Sequence, residues 1–202
     1  MSTQYETLIT EVGTADYPYL FKPDTKFNAN GEYHVKLTLP EDISKKMIDQ
    51  YNSVLVNFQK EVGKDKRSQH DQFSKVEKGY QWKFKSKAKV KGKNGSDYEI
   101  RPKIYDASNN LITEEIPCYS GSEMKIAYQM RPYHTPTLGV GVKLVLVSAQ
   151  ITKLVSDSGT SKSSSPLFKK TKGFNVSESP VNLNAEKASE REVSPETNEE
   201  DF

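Results

Sequence analysis

Residues 32–62 read Glu32-Tyr33-His34-Val35-Lys36-Leu37-Thr38-Leu39-Pro40-Glu41-Asp42-Ile43-Ser44-Lys45-Lys46-Met47-Ile48-Asp49-Gln50-Tyr51-Asn52-Ser53-Val54-Leu55-Val56-Asn57-Phe58-Gln59-Lys60-Glu61-Val62. Tyr33, Val35, Leu37 and Leu39 alternate with polar neighbours, the period of a strand with one buried face. Asn28-Ala29-Asn30-Gly31 before it reads as a turn. At Pro40 the period changes. A proline needs no N–H partner where a helix begins, and Glu41 and Asp42 suit the positive end of the helix dipole. Ile43, Met47, Tyr51, Val54, Leu55, Phe58 and Val62 then recur at spacings of three and four, with Gly63 placed as a C-cap. The spacing predicts one strand feeding one amphipathic helix, about residues 41–62.

Strands dominate the rest. Residues 64–78 are polar and read as an exposed loop, followed by alternating residues 80–91. A strand over 97–106 is interrupted by Pro102, which points to an edge or a bulge. Asp106 to Asn110 form a turn, and Leu111 to Ile116 a short strand. Met124, Ile126, Tyr128 and Met130 share one face of the next strand. Leu138 to Val155 form a long last one, whose apolar phase shifts between Leu144 and Val145. Several strands with one helix fit a mainly β fold, a small Greek-key barrel of the oligonucleotide-binding type, better than a parallel α/β sheet with repeated crossover helices.

Composition divides the chain of 202 residues. Ten of the 47 side chains in residues 156–202 are apolar, against 59 of the 155 before them, so only the front can bury a core. The expected organisation is a barrel domain over 1–155, a Ser/Lys-rich linker over 156–177 and a disordered acidic tail over 178–202 ending in Phe202. The net charge of +2 hides a split: residues 176–202 hold eight acids and two bases, leaving +8 on residues 1–175. A basic body with an acidic tail implies that the body binds an anion and the tail imitates one. No apolar run approaches the ~20 residues of a membrane helix, and no basic, apolar leader opens the chain, so a soluble, unexported protein is expected. A lone Cys118 excludes an internal disulfide and a Cys-rich zinc site.

The strongest functional signal is residues 80–93, where Lys83, Lys85, Lys87, Lys89, Lys91 and Lys93 occupy alternate positions. In a strand all of them share one face, about 7 Å apart, near the phosphate spacing of an extended single strand. Such a row is electrostatically costly unless an anion lies along it; the competing reading is an edge strand protected by lysine. Arg101 and Lys103 widen the stripe if their strand pairs with it. Among eleven tyrosines, Tyr105, Tyr128 and Tyr133 are candidates to stack bases, with Trp82 beside the lysines, although alternation places Trp82 and Phe84 on the opposite face. Tyr98, Tyr119, Tyr17, Tyr19 and Phe21 are further aromatic positions. Arg131-Pro132-Tyr133-His134 joins a cation, a ring and an imidazole in one connection. Lys169, Lys170 and Lys172 between Phe168 and Phe174 form a second basic-aromatic cluster.

Catalysis has no comparable signal. There is no nucleophile elbow and no phosphate-binding Gly-rich loop, so no catalytic residue is assigned. His34, His70 and His134 lack partners at metal-ligand spacing, and neither a metal nor a cofactor is expected. Glu199, Glu200, Asp201 and Phe202 form a terminus that can enter a basic groove or a cation-rimmed apolar pocket, as a partner-docking tail does.

Phe21-Lys22-Pro23-Asp24-Thr25-Lys26-Phe27 leading into the Gly31–Pro40 strand, the 41–62 helix, Tyr119-Ser120-Gly121-Ser122, Gly139-Val140-Gly141-Val142-Lys143-Leu144 and the acidic tail occur in an order that resembles one family. These are the single-stranded DNA-binding proteins of T-odd-like short-tailed bacteriophages, the podovirus and cyanophage type. The resemblance implies a barrel that coats single-stranded DNA and promotes annealing in the cytoplasm of an infected bacterial host. It also implies a homodimer whose tails compete with DNA and contact the phage DNA polymerase and helicase-primase. The tail departs from the Asp-rich, Pro-Phe tip of bacterial proteins of this function, being Glu-rich and interrupted by Lys187 and Arg191.

The residues themselves favour non-enzymatic, sequence-tolerant binding of single strands. A phage assembly or scaffold protein whose basic strand meets an acidic partner is the main alternative, ahead of a metal-dependent nuclease. RNA remains open as a ligand beside DNA.

Overall fold

The computed structural model describes residues 4–92 and 94–156. In chain order the strands are β1 (Leu8–Ile9), β2 (Gly13–Asp24) and β3 (Glu32–Leu39), followed by the helix α1 (Glu41–Val62). Then come β4 (Phe73–Val76), β5 (Gly79–Lys87), β6 (Lys89–Lys91), β7 (Asp97–Glu99), β8 (Lys103–Tyr105), β9 (Glu123–Thr135) and β10 (Gly139–Lys153). The pairs β2–β3, β3–β5, β5–β10, β10–β9 and β9–β2 close a ring, all antiparallel except β5–β10. That connectivity is the Greek-key barrel expected from the sequence. β1 extends the sheet beside β9, β4 lies against β5, and β8 runs parallel to β10. β6 and β7 form a separate hairpin.

The alternation in the quoted stretch directs the core. Val35, Leu37, Leu39, Trp82 and Phe84 point inward and are fully buried, meeting Met124, Ile126 and Leu144 from the far wall. α1 buries Ser44, Met47, Tyr51 and Leu55 against β5, β9 and β10. Two polar contacts fix its position. Trp82 Nε1 donates to Ser44 Oγ at 3.2 Å, and Tyr51 Oη donates to the Val142 carbonyl at 3.3 Å. Desolvation pushes the Tyr51 hydroxyl up to about 12. The helix ends where Gly63 takes the left-handed conformation (φ 60°) and Lys64 N–H bonds the Gln59 carbonyl at 3.1 Å. No helix among the described residues is long and apolar enough to cross a membrane.

Five local expectations are corrected. Arg131 to His134, read as a connection, are the end of β9, each residue paired across the ladder with β10. Within the stretch read as loop, Phe73–Val76 forms β4, because Phe73 inserts its ring 4.7 Å from Trp82 and 5.4 Å from Tyr51. The strand read over 97–106 divides at Pro102, its first part pairing with β6 and its last with β10. Residues 111–116 contribute a single bridge, Leu111 to Tyr105. In β10 the inward phase changes not at Leu144 but at Val147, an extra residue between Leu146, opposite Tyr128, and Ser148, opposite Ala127. Lys93, the linker and the acidic tail, including Glu199, Glu200, Asp201 and Phe202, lie outside the described residues.

Since Trp82 joins barrel, β4 and helix, Trp82→Ala is expected to cost about 3–5 kcal/mol, read as the shift of urea unfolding followed by circular dichroism. A loss below about 1 kcal/mol contradicts this packing.

Candidate nucleic-acid interface

The alternation that buries Val35, Leu37, Trp82 and Phe84 turns His34, Lys36, Lys83 and Lys85 outward. The β3–β5 register sets Lys36 opposite Lys83 and His34 opposite Lys85. The parallel β5–β10 register sets Val145 beside Lys85, which brings Lys143 beside Lys83, and Lys143 in turn pairs with Arg131 on β9. Lys36, Lys83, Lys143 and Arg131 thus form a row of cations crossing β3, β5, β10 and β9, with neighbouring strands about 5 Å apart.

Aromatic rings continue the row on β2. Against β3, β2 advances three residues from Asp16 to Tyr19 while its partner advances two, from Lys36 to His34. At this bulge Tyr17 takes a φ of 48°, a left-handed conformation rare for a bulky residue, and its N–H donates to Ser120 Oγ at 2.9 Å. The result aims Tyr17 at Lys36, whose Nζ lies 5.8 Å from the ring centroid, and Tyr19 at His34, ring to ring 4.8 Å. Tyr17 is 65% exposed and Phe27, in the β2–β3 loop, 88% exposed.

Apart from Lys143, whose Nζ lies over the Tyr133 ring, these side chains line two clefts of about 580 Å³ and about 440 Å³ that share Glu32 and Lys85. The first holds the tyrosines, Phe27 and Lys83; the second has Arg131 and Lys87 over a floor of Val145 and Val147, with Val90 and Ile100 beside it. Charge is unevenly balanced along them. Lys85 Nζ pairs with Glu32 at 2.6 Å, but burial, followed by repulsion from Lys85 and Lys36, holds the Lys83 ammonium below the ordinary lysine range. His34 Nε2 lies 3.3 Å from Asp24 Oδ2, and the Lys26 N–H and then His34 hold that carboxyl below its usual range. Chemically, the groove offers crowded cations to an anion and apolar and aromatic surface to flat rings. Among the described residues no group of His, Cys, Asp and Glu is placed to hold a metal.

The sequence model of a family described as "Single-stranded DNA-binding protein, Bacteriophage T7" matches residues 12–154. The chain belongs to this family. It is therefore a phage-type protein that binds single-stranded DNA, and the family is not one of enzymes. Among solved structures the fold is similar to the crystal structure of gp2.5, a single-stranded DNA-binding protein encoded by bacteriophage T7. That likeness has 23% identity and a TM-score of 0.62, over 76% of this chain and 89% of that one. It is also similar to the single-stranded DNA-binding protein from bacteriophage Enc34 in complex with ssDNA, at 15% identity and a TM-score of 0.53, over 73% of this chain and 86% of that one. A C-terminal truncation of the Enc34 protein matches at 15% identity and a TM-score of 0.52, over 73% and 85%. No curated protein matches it.

Within this family member the residues singled out from sequence separate into three groups. Lys83, Lys85, Lys87 and Arg131 come together in the groove. Tyr133 is close by: its hydroxyl end packs on Gly141, where a Cβ would stand 2.5 Å from it, and Lys143 Nζ lies 4.8 Å from its ring centroid. The lysine row does not continue straight, because β5 ends at Lys87, Ala88 is buried, and Lys89 and Lys91 belong to the β6–β7 hairpin. The third group is displaced. Trp82 and Tyr128 are buried to 0% and 2% exposure, Tyr128 edge-on to Phe84 at 5.1 Å, where no base can reach them. Arg101, Lys103 and Tyr105 line neither cleft: Lys103 and Tyr105 belong to β8, paired with β10, and Arg101 approaches Glu115 at 4.0 Å.

Lys36, His34, Tyr17, Tyr19 and Phe27 line the groove without having been assigned to it, and Lys143 joins the cation row beside it through its pairing with Arg131. Lys36 and His34 were legible as the polar face of the 32–39 strand; no local pattern marks the β2 bulge. A phosphate beside Lys83 favours its protonated form, so DNA affinity should fall at lower pH than unperturbed lysines would require. Lys83→Arg, which stays charged, is expected to bind more tightly than wild type at about pH 9.5 and equally at about pH 7. Parallel pH profiles of the two proteins in an oligonucleotide titration contradict the crowding of Lys83.

Proposed function

We propose that the chain coats single-stranded DNA by laying it across the outward face of β3, β5, β10 and β9, and that it does so with little sequence preference. The carrying observation is the five-strand row in which Tyr17, Lys36, Lys83, Lys143 and Arg131 succeed one another. Cations neutralise phosphates without reading sequence, and rings stack on any base. The strand 2–3 face and the first-to-second strand loop are where barrels of this type bind oligonucleotides, here β3–β5 and the loop with Phe27. The Enc34 protein, similar in fold and solved in complex with ssDNA, supports single-strand binding by this fold.

Coating protects single strands, and neutralising their phosphates lowers the repulsion between complements, so annealing during phage replication and recombination follows from the same face. We assign the acidic tail, residues 178–202, two roles: competing with DNA for the groove and docking replication partners, the phage DNA polymerase and helicase-primase. Opposed charges on tail and body, −6 on residues 176–202 and +8 on 1–175, support the competition. A homodimer carrying two such tails in the infected host's cytoplasm belongs to the same reading.

Titration of the full chain with labelled single-stranded and duplex oligonucleotides at several salt concentrations tests this. Preference for the single strand is expected, with a log–log salt slope of about −3 to −4 for four to six phosphate contacts. Lys36→Gln and Lys143→Gln should each reduce it by about 0.7, Tyr17→Ala should cost about 1–3 kcal/mol, and deletion of residues 178–202 should tighten binding. Equal affinity for both forms, unmoved by these substitutions, contradicts the proposal and makes the face a protein-docking surface.

A further inference from the structure

We infer that a second surface, the cleft between α1 and the N-terminal segment, docks a cation-bearing apolar segment of a protein partner. The cleft has a volume of about 620 Å³. Its floor is apolar, from Leu8, Val54, Phe58 and Met130, with Val54 and Phe58 packed against the edge of the core yet only half-buried. Glu6, Asp49 and Glu61 also line it, and no lysine or arginine does. On residues 1–175, whose balance is +8, this is a local inversion of charge.

The position of Glu61 strengthens the point. It lies in the last turn of α1, where the helix already presents its negative end and a carboxylate is unfavourable. The helix terminus and the three carboxylates therefore reinforce one another around an apolar floor. Nucleic acid is repelled from such a surface, whereas a segment with Lys or Arg flanking Leu or Phe satisfies both the floor and the rim. Asp49 and Glu61 are twelve positions apart, about 18 Å along the helix, so the occupant spans about three helical turns.

The cleft adjoins the DNA face at one edge, where the Arg131 guanidinium lies 5.4 Å from the ring centroid of Tyr5 in the cleft wall, but it shares no lining residue with the two clefts of that face. Along β9, buried Met130 and half-buried Pro132 line the cleft while the intervening Arg131 belongs to the cation row. Gln129 Nε2 donates to the Tyr5 carbonyl at 3.3 Å and to Thr7 Oγ1 at 3.2 Å, which holds the N-terminal wall in place. Both surfaces can then be occupied together, and a partner docks while DNA remains bound. The simultaneous occupancy rests on the proposed placement of DNA across β3, β5, β10 and β9.

The test uses the full chain and two fluorescent amphipathic peptides with the same Leu/Phe pattern, one flanked by lysines and one by glutamates, followed by anisotropy with and without saturating oligothymidylate. The lysine peptide should bind at least tenfold more tightly than the glutamate peptide, and still bind with oligothymidylate present. The double variant Asp49→Lys/Glu61→Lys, altered at exposed positions with the tail intact, should lose at least tenfold for the lysine peptide while keeping its oligothymidylate affinity. Glu6→Lys, on the opposite wall and outside any helix, provides a second variant with the same expected direction. Equal affinity of the lysine peptide for wild type and variants, equal binding of both peptides, or displacement by oligothymidylate overturns the inference.

Discussion

Lys36 stands directly opposite Lys83 across the β3–β5 ladder, with Lys85 two residues on. Like charges at opposed positions destabilise a sheet, and here the partial burial of Lys83 raises that cost. The arrangement persists because the other faces of the same residues' strands carry Val35, Leu37, Trp82 and Phe84, whose packing against α1 and the far wall fixes the register. A slip of one residue would bury the lysines and expose the core. The apolar face thus holds the cations where they repel, and a polyanion relieves the repulsion. The affinity of the outer face and the rigidity of the core are two consequences of one alternation.

How much of this was legible depends on where the chain keeps its period. The 32–39 strand, the 41–62 helix and its Gly63 cap follow directly from spacing and from a glycine's access to positive φ, and the structure places them at those residues. β2 breaks its period at the Tyr17 bulge and again between Tyr19 and Asp24, so neither the strand nor its outward tyrosines form a regular pattern. The pin that makes the bulge tenable, Ser120 Oγ accepting from Tyr17 N–H, joins residues 103 positions apart, and no local reading supplies it. The lysine stripe shows the opposite failure. Its alternation runs through Ala88, but the backbone bends there as Ala88 N–H bonds the Gly31 carbonyl at 3.0 Å. Trp82 illustrates a conflict visible beforehand: its strand position places it on the core side, and its burial agrees with that position rather than with stacking.

The molecule separates charges in space as well as along the chain. Cations and exposed rings cross the β3–β5 side, while carboxylates surround the apolar cleft beside α1. An acidic segment is attracted to the first and repelled by the second; a basic segment has the reverse preference. On the proposed reading, that separation lets one small barrel hold a nucleic acid and a protein segment together, and leaves competition to whatever resembles DNA in charge.

The most direct measurement of the central claim is backbone hydrogen exchange of the full chain with and without oligothymidylate. The account places new protection in Glu32–Leu39, Gly79–Lys87 and the loop containing Phe27, with Glu41–Val62 unchanged. Protection confined to α1 or to Lys103–Tyr105, with the β3–β5 face unaltered, would contradict it.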